Sequence, residues 1–299
     1  MHKPVMLTEV LEALQPQDKE IYVDATFGGG GYSQAILDTA DCSVVAMDRD
    51  PEAAERAALF QQRYPGRFSF YQTRFGEMAN VVPPQGYDGI VFDLGVSSPQ
   101  LDDGARGFSF KHDGPLDMRM DKQGLTAADV VNTFEEKEIA RILWVYGEEK
   151  RSRAVARAIV AQRPFSTTGQ LAEVIRSVVG FVRVGFDPAT RSFQALRLYV
   201  NDELGELEKG LEASEALLKK GGRLVVVSFH SLEDRLVKTF LRQKSGNTPR
   251  ASRHLPERVS SPASFILQEK KALSPQDAEL RENPRARSAR LRWAVKGAA

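Results

Sequence analysis

Ile21-Tyr22-Val23-Asp24, Ala25-Thr26-Phe27-Gly28-Gly29-Gly30-Gly31 and Tyr32-Ser33-Gln34-Ala35-Ile36-Leu37 follow one another without a break. They read as a strand, a four-glycine loop and a helix. Glycine lacks Cβ, so the backbone can turn with positive φ and come within van der Waals distance of a ligand, and the helix start offers unpaired N–H groups. That order predicts a nucleotide-sized pocket and makes a cofactor the first expectation.

The rhythm continues on the C-terminal side. Ser43-Val44-Val45-Ala46-Met47 is a short apolar run ending at Asp48, and Pro51 to Arg63 carries Ala, Leu and Phe at helical spacing. Arg67 to Tyr71 and Tyr87 to Asp93 are two more strand candidates, separated by the Pro83-Pro84 break. Continuous apolar runs of this length suit a parallel sheet covered on both faces. From Gly104 to about Asn201 the strand signal all but vanishes. Amphipathic helices are expected over 126–133, 137–146, 152–162 and 170–179, the last opened by a Thr167-x-x-Gln170 capping box. Arg191 to Lys219 reads as one or two helices ended by Gly221-Gly222, after which Arg223 to Phe229 restores a buried strand. Residues 245–264, with Pro249, Pro256 and Pro262, read as an exposed mobile arm. Arg290 to Val295 alternates with period two, and a final edge strand is expected there, Leu291, Trp293 and Val295 on one face. The expected organisation is an α/β sheet domain over 1–103 and 202–299, interrupted by a helical insertion over 104–201.

At 299 residues and 42% hydrophobic content the chain can bury one large core, or a core with a smaller satellite. Runs such as Leu224-Val225-Val226-Val227 fall far short of the roughly 20 apolar residues of a membrane span, and Met1-His2-Lys3-Pro4 resembles no signal peptide. Cys42 is the sole cysteine, which points to a reducing cytoplasm and to a small core residue. With four histidines and one cysteine no metal-ligand cluster is expected. Residues 242–299 hold 13 Lys and Arg against 5 Asp and Glu, a net +8, so residues 1–241 carry −7 within a total of +1. This asymmetry suits a polyanion met by one face, or a solvated basic tail balancing an acidic body. Monomer and homodimer both stay open.

Three ligands compete for the glycine loop. A nucleoside triphosphate loop needs Gly-Lys-Ser/Thr, but Gly31 is followed by Tyr32-Ser33. A dinucleotide site needs Gly-x-Gly-x-x-Gly; counted from Gly28, the third position is Ser33. S-adenosylmethionine carries no phosphate and needs close backbone approach with polar groups for an amino-acid head, a role that Asp24 fits. Asp48, about 20 residues on, can accept both ribose hydroxyls, which serves a nicotinamide cofactor equally well. The fourth strand adds Asp93-Leu94-Gly95-Val96-Ser97-Ser98-Pro99-Gln100 at its carboxyl end, where open α/β sheets place their chemistry. This loop is similar to the Asp/Asn/Ser-Pro-Pro-Tyr/Phe loop of methyltransferases that modify exocyclic amines. An aromatic amine is a poor nucleophile because its lone pair is delocalised. A loop stiffened by Pro99 that presents acceptors from Asp93, Ser97 and Ser98 can hold the N–H groups as the nitrogen rehybridises.

Further segments complete a resemblance: His2-x-Pro4-Val5-Met6-Leu7, Asp24-Ala25-Thr26-Phe27-Gly28, Asp48-Arg49-Asp50-Pro51, Arg106-Gly107-Phe108-Ser109-Phe110, Asp113-Gly114-Pro115-Leu116-Asp117-Met118-Arg119-Met120, Tyr146-Gly147-Glu148-Glu149, Arg191-x-Phe193-Gln194-Ala195, Ser228-Phe229-His230-Ser231-Leu232-Glu233-Asp234-Arg235 and Asn283-Pro284-Arg285-Ala286-Arg287-Ser288. In this order the chain resembles the bacterial 16S ribosomal RNA cytosine-N4 methyltransferase family, also called small-subunit methyltransferase H or MraW. The resemblance implies a Rossmann-like S-adenosylmethionine-dependent methyltransferase sheet with an inserted all-helical, substrate-recognising domain. It implies methyl transfer to N4 of a cytidine in the decoding region of the small ribosomal subunit, whose 16S rRNA is then the partner. Carried over as cofactor contacts are Gly30, Gly31, Tyr32, Asp48, Phe75, Asp93 and Gln100, with Gly28 in the same loop; Tyr32 stands where the family often has histidine. Phe75 reads independently as an adenine-stacking candidate or a core aromatic. Asp117 and Arg119 suit a cytosine edge or a pair with each other. His230, at a strand end, suits a proton sink or a substrate hydrogen bond. Arg285, Arg287, Arg290 and Arg292 suit phosphate contacts. Two rivals stay open, a nicotinamide-dependent oxidoreductase and a non-enzymatic RNA-binding factor.

Overall fold

The structure is a computed structural model that describes residues 4–84, 86–182, 186–246 and 262–297. The chain divides into two compact units, one made of Met1–Gly95 and Leu204–Ala299, the other of Val96–Glu203.

In the first unit α1 (Leu7–Leu14) precedes β1 (Ile21–Asp24), α2 (Gly31–Thr39), β2 (Ser43–Asp48), α3 (Pro51–Arg63), β3 (Phe68–Gln72), α4 (Met78–Val81) and β4 (Tyr87–Asp93). The α3 start shows how local sequence sets a boundary: Asp50 caps it by accepting the Glu52 N–H at 3.0 Å, and Pro51 supplies a pre-set φ in the first turn. The second unit holds α5 (Ser98–Asp102), α6 (Ala127–Thr133), α7 (Glu136–Gly147), α8 (Ser152–Gln162), α9 (Thr168–Val179) and α10 (Thr190–Asn201). The expected Thr167/Gln170 capping box opens α9. The chain then supplies α11 (Glu203–Leu217), β5 (Leu218–Ser228), α12 (Ser231–Lys244), β6 (Phe265–Leu267), α13 (Asp277–Glu282) and β7 (Arg290–Lys296). Most of the expected arm, residues 247–261, lies outside the described residues.

The seven strands lie in the order β3-β2-β1-β4-β5-β7-β6. The first five are parallel, and β7 runs antiparallel to both β5 and β6. This is the Rossmann-like α/β sheet that the alternation of strand and helix predicts. Parity along the strands divides its two faces: Val44, Ala46, Val91, Val225 and Val227 enter one apolar cluster, while Val45, Met47, Ile90, Phe92, Leu224 and Val226 enter the other. Both faces are covered, so the strands read as apolar runs rather than as alternations. The second unit has its own core around Ile139, Ile142, Leu143, Val155, Ile159, Leu171 and Leu196.

Two expectations are corrected. β7 is not an edge strand, because β6 pairs with it through Ile266↔Val295 and forms the edge instead. Three residues are too few to show a period. Within β7 Leu291 and Trp293 pack on one apolar cluster and Ala294 on the other, as the alternation predicts, with Leu291 and Ala294 the fully buried positions. The Gly221-Gly222 pair does not end the preceding helix, since β5 has begun at Leu218; the register against β4 shifts across Tyr87/Gly89, opposite this pair.

Candidate functional site

Strand order reverses at β1, which lies between β2 and β4, and such switch points open a crevice at the carboxyl ends of open α/β sheets. Three aspartates end the strands there. Asp24 pairs in register with Ala46 and Val91, so Asp48 and Asp93 each stand two residues beyond its neighbours.

The glycine loop wraps these ends. Asp48 accepts the Gly28 N–H at 2.7 Å and the Asp50 N–H at 2.9 Å, and Arg56 Nε donates to the Gly28 carbonyl at 2.9 Å. Asp24 accepts the Ser33 hydroxyl at 2.6 Å and the Thr26 N–H at 3.2 Å. The Thr26 hydroxyl accepts the Asp93 N–H at 2.6 Å, tying the loop to β4. Gly30 has φ 79°, and a Cβ there would lie 2.4 Å from the Phe60 ring; a Cβ on Gly31 would lie 2.2 Å from Pro4. Both glycines are therefore required by the packing beneath the loop. A Cβ on Gly29 would meet nothing within 4 Å.

The electrostatics of this edge are unbalanced. Burial pushes the Asp24 carboxyl up to about 6, against its hydrogen bonds to Ser33 and Thr26, and nearby Asp48 adds to the rise. Asp48 is raised by the same desolvation. Asp93 is held well above the usual carboxylate range, first by burial and then by the charges of Asp24 and Glu233. Its Oδ1 is buried with no hydrogen-bond partner. Buried carboxylates without a compensating cation are expensive, and a site that gathers them is suited to a cationic ligand.

His230 and Glu233 form a local device. His230 is the N-cap of α12, its Nδ1 accepting the Glu233 N–H at 3.4 Å, while its Nε2 lies 3.1 Å from Glu233 Oε1. Glu233 Oε2 in turn accepts the Phe229 and His230 N–H groups at 2.8 and 3.2 Å. His230 thus fixes the start of α12, and Glu233 faces the field of Asp93. Neither sequence expectation for His230 included this cap.

The remaining expected cofactor residues are distributed as follows. Phe75 is half-buried, edge-on to Phe92 at 5.5 Å between centroids, and its ring lies over Gly210 of α11. The Tyr32 phenol is buried and donates to the Val5 carbonyl, so position 32 offers the loop its backbone N–H in the first turn of α2. In the second unit Ser97 caps α5, Pro99 sits in its first turn, and Gln100 is buried with Oε1 accepting the Ser97 N–H at 3.0 Å. Ser98 is the first residue of that helix.

Of the expected substrate residues, Asp117 and Arg119 take the second of their two readings and pair with each other, Nε to Oδ1 at 2.9 Å and the terminal nitrogen to Oδ2 at 2.7 Å. Arg285 and Arg287 are exposed beside α13, and Arg290 is half-buried with a guanidinium nitrogen on the Ala289 carbonyl at 2.7 Å. Arg292 is a correction: it forks onto Asp234 at 2.8 and 3.1 Å, so its charge is spent within the fold rather than on a phosphate. Sequence reasoning missed Thr26, Ser33 and Glu233. The signal for Glu233 was present as a helix-starting polar residue followed three positions later by Glu. Among the described residues no group of His, Cys, Asp and Glu is arranged to hold a metal, and no helix is long and apolar enough to cross a membrane.

The chain is 57% identical over 302 residues to Ribosomal RNA small subunit methyltransferase H of Rhodospirillum rubrum, covering 97% of this chain and 93% of that one. It is 51% identical over 300 residues to the protein of the same name from Rickettsia akari, covering 99% and 98%. Among solved structures it is similar to an rRNA methylase from Streptococcus thermophilus, with a TM-score of 0.44 at 11% identity and 99% of each chain covered. The model of the MraW methylase family matches residues 1–297, and the chain belongs to that family.

Proposed function

We propose that this protein transfers a methyl group from S-adenosylmethionine to the N4 amine of a cytidine in the decoding region of 16S rRNA, within the small ribosomal subunit. Membership of the family makes it a methyltransferase, and its relatives carry the name of small-subunit rRNA enzymes. S-adenosylmethionine is the cofactor, and it supplies an electrophilic methyl on a sulfonium. The observation that carries the reading is the uncompensated acid set around Asp93, with Oδ1 buried and unpartnered. A ligand bearing an ammonium and a sulfonium favours the ionised form of these raised carboxyls, while a phosphate-bearing cofactor would push them further toward the neutral form.

In this reading Asp48 keeps lone pairs for the ribose diol, Phe75 offers its ring to adenine, and Asp24 holds the loop through Ser33 and Thr26. The backbone N–H groups of Gly31 and Tyr32 serve the amino-acid carboxylate, while the Gly30 N–H closes the loop on the Phe27 carbonyl at 2.6 Å. Gln100 holds the loop on the far side of Pro99 through its bond to Ser97. Asp93, Ser97 and Ser98 accept the amine N–H groups, which localises the nitrogen lone pair for attack. S-adenosylmethionine would supply the methyl electrophile and a positive charge that favours the ionised form of Asp93, whose Oδ1 would then take the proton that the amine gives up. A cytidine stacked in a helix cannot present N4 in this way, so the base must be unpaired or flipped out. Arg285, Arg287 and Arg290 contribute phosphate contacts.

The test is labelled-methyl incorporation into small subunits that lack the modification, followed by nucleoside mass spectrometry. N4-methylcytidine is expected. A methyl group on another base, on a ring carbon or on ribose overturns the reading.

A further inference from the structure

We propose that the groove between α7 and α8 is an RNA-docking surface in which an unpaired base of the substrate strand stacks on Trp144. The proposal rests on the rRNA reading above and adds a second contact site to it.

The groove has a volume of about 890 Å³ and ten lining residues, of which Lys137, Arg141, Lys150, Arg151 and Arg153 are cationic and Glu136 alone is acidic. Lys137, Arg141 and Trp144 recur at helical spacing along one face of α7, while Ile139, Ile142 and Leu143 bury the opposite face in the core. Trp144 is 58% exposed, although Ile142 and Leu143 just before it are fully buried. A large aromatic left in water forfeits its burial, and here it stands among side chains that attract phosphate. Proteins that grip single-stranded nucleic acid combine these same two elements: a cationic track for the backbone and an aromatic face for the bases. A duplex hides its base faces, so the aromatic element selects an unpaired strand. An acidic protein segment would use the cations but would leave the indole idle.

The chain has two tryptophans, and Trp293 lies half-buried against the sheet core, so Trp293→Phe leaves Trp144 as the fluorescent reporter. Titrating that full-length variant with a short unstructured oligoribonucleotide is expected to quench Trp144 saturably, and the same sequence annealed as a duplex is not. In the otherwise unaltered chain Trp144→Ala is expected to weaken oligonucleotide binding about tenfold, with Trp144→Phe recovering most of it. Lys137→Gln with Arg141→Gln should reduce the salt slope of log K by about 1.4, or about 0.7 for each single-strand phosphate no longer neutralised. In methylation assays the loss falls on KM for RNA. Equal quenching by duplex, or unchanged affinity in Trp144→Ala, overturns the proposal. Oligonucleotide binding is read without methyl transfer, so the two readings separate. Trp144-dependent binding in a chain that methylates no cytidine supports the groove and condemns the functional reading. Cytidine methylation with Trp144→Ala indistinguishable from its parent does the reverse.

Discussion

The carboxyl edge of the sheet and the α7–α8 groove carry opposite charge in opposite surroundings. Asp24, Asp48 and Asp93 are held at strand ends, where burial raises all three carboxyls, and Asp93 keeps an oxygen without a partner. Lys137, Arg141, Lys150, Arg151 and Arg153 are exposed, and solvation there is nearly free. A buried carboxyl kept at a raised pKa is itself a statement about a ligand, because an apolar or amide side chain there would not carry that desolvation cost. An exposed cation says little until something costly stands beside it, and in the groove that is Trp144. The paired guanidiniums make the same point from the other side. Arg119 on Asp117 and Arg292 on Asp234 are satisfied within the fold and have no charge left over to identify a partner.

Experiments can break this contrast at its strongest point first. If Asp93 accepts from the reacting amine as proposed, Asp93→Ala should lower turnover by about a thousandfold with the fold intact; turnover within tenfold of the parent would show that the acid edge is merely structural. Next, Gly30→Ala forces a side chain to φ 79° and against Phe60, and a loss of about 2–4 kcal/mol in denaturant unfolding is expected.

Asp24→Asn tests the idea that the buried acids are held at the expense of stability. Its carboxyl stands near 6 in the folded chain against 3.8 for the ordinary group. Between those values the folded state keeps a proton that the unfolded state has released, so stability falls as pH rises from about 4 to 6 and stays lower above. A neutral amide removes that penalty. Up to about 3 kcal/mol of stabilisation is expected at pH 7.5, vanishing near pH 4, together with weaker cofactor binding. A Tm difference independent of pH refutes the assignment. The smallest effect is expected at the surface: Arg287→Ala should weaken RNA binding only a few-fold and reduce the salt slope by about 0.7–0.9, seen in KM rather than in turnover.

Much of this was legible in the sequence, for reasons that individual segments make plain. The glycine run, the apolar strands and α3 announced themselves because backbone sterics and periodicity are local properties. The carboxyl-edge aspartates could be placed because a strand end is also a position in sequence. What escaped depended on distant partners. The Tyr32 phenol is engaged by the carbonyl of Val5, 27 residues earlier, a partner that local sequence does not show, so any ligand contact at position 32 falls to the backbone N–H. Arg292 read as a phosphate ligand until Asp234 emerged 58 residues away. The three residues of β6 carry no period at all, and without them β7 read as the edge. His230 adds a role that its strand-end position did not signal, since its Nδ1 caps α12 while its Nε2 is buried without a hydrogen-bond partner.

The placement of β7 has a consequence for biosynthesis. β5 is sandwiched between β4 and β7, yet β7 is translated after every other strand of the sheet. Until Arg290–Lys296 leaves the ribosome, one rim of β5 along Val225–Val227 presents its amides and carbonyls unpaired, flanked by apolar side chains. At typical elongation rates of about 5–20 residues per second, the roughly 60 residues between the two strands leave that rim open for seconds. A nascent chain in that state is a natural client for a holdase chaperone, and stalled or C-terminally clipped products should aggregate rather than accumulate as partly active enzyme.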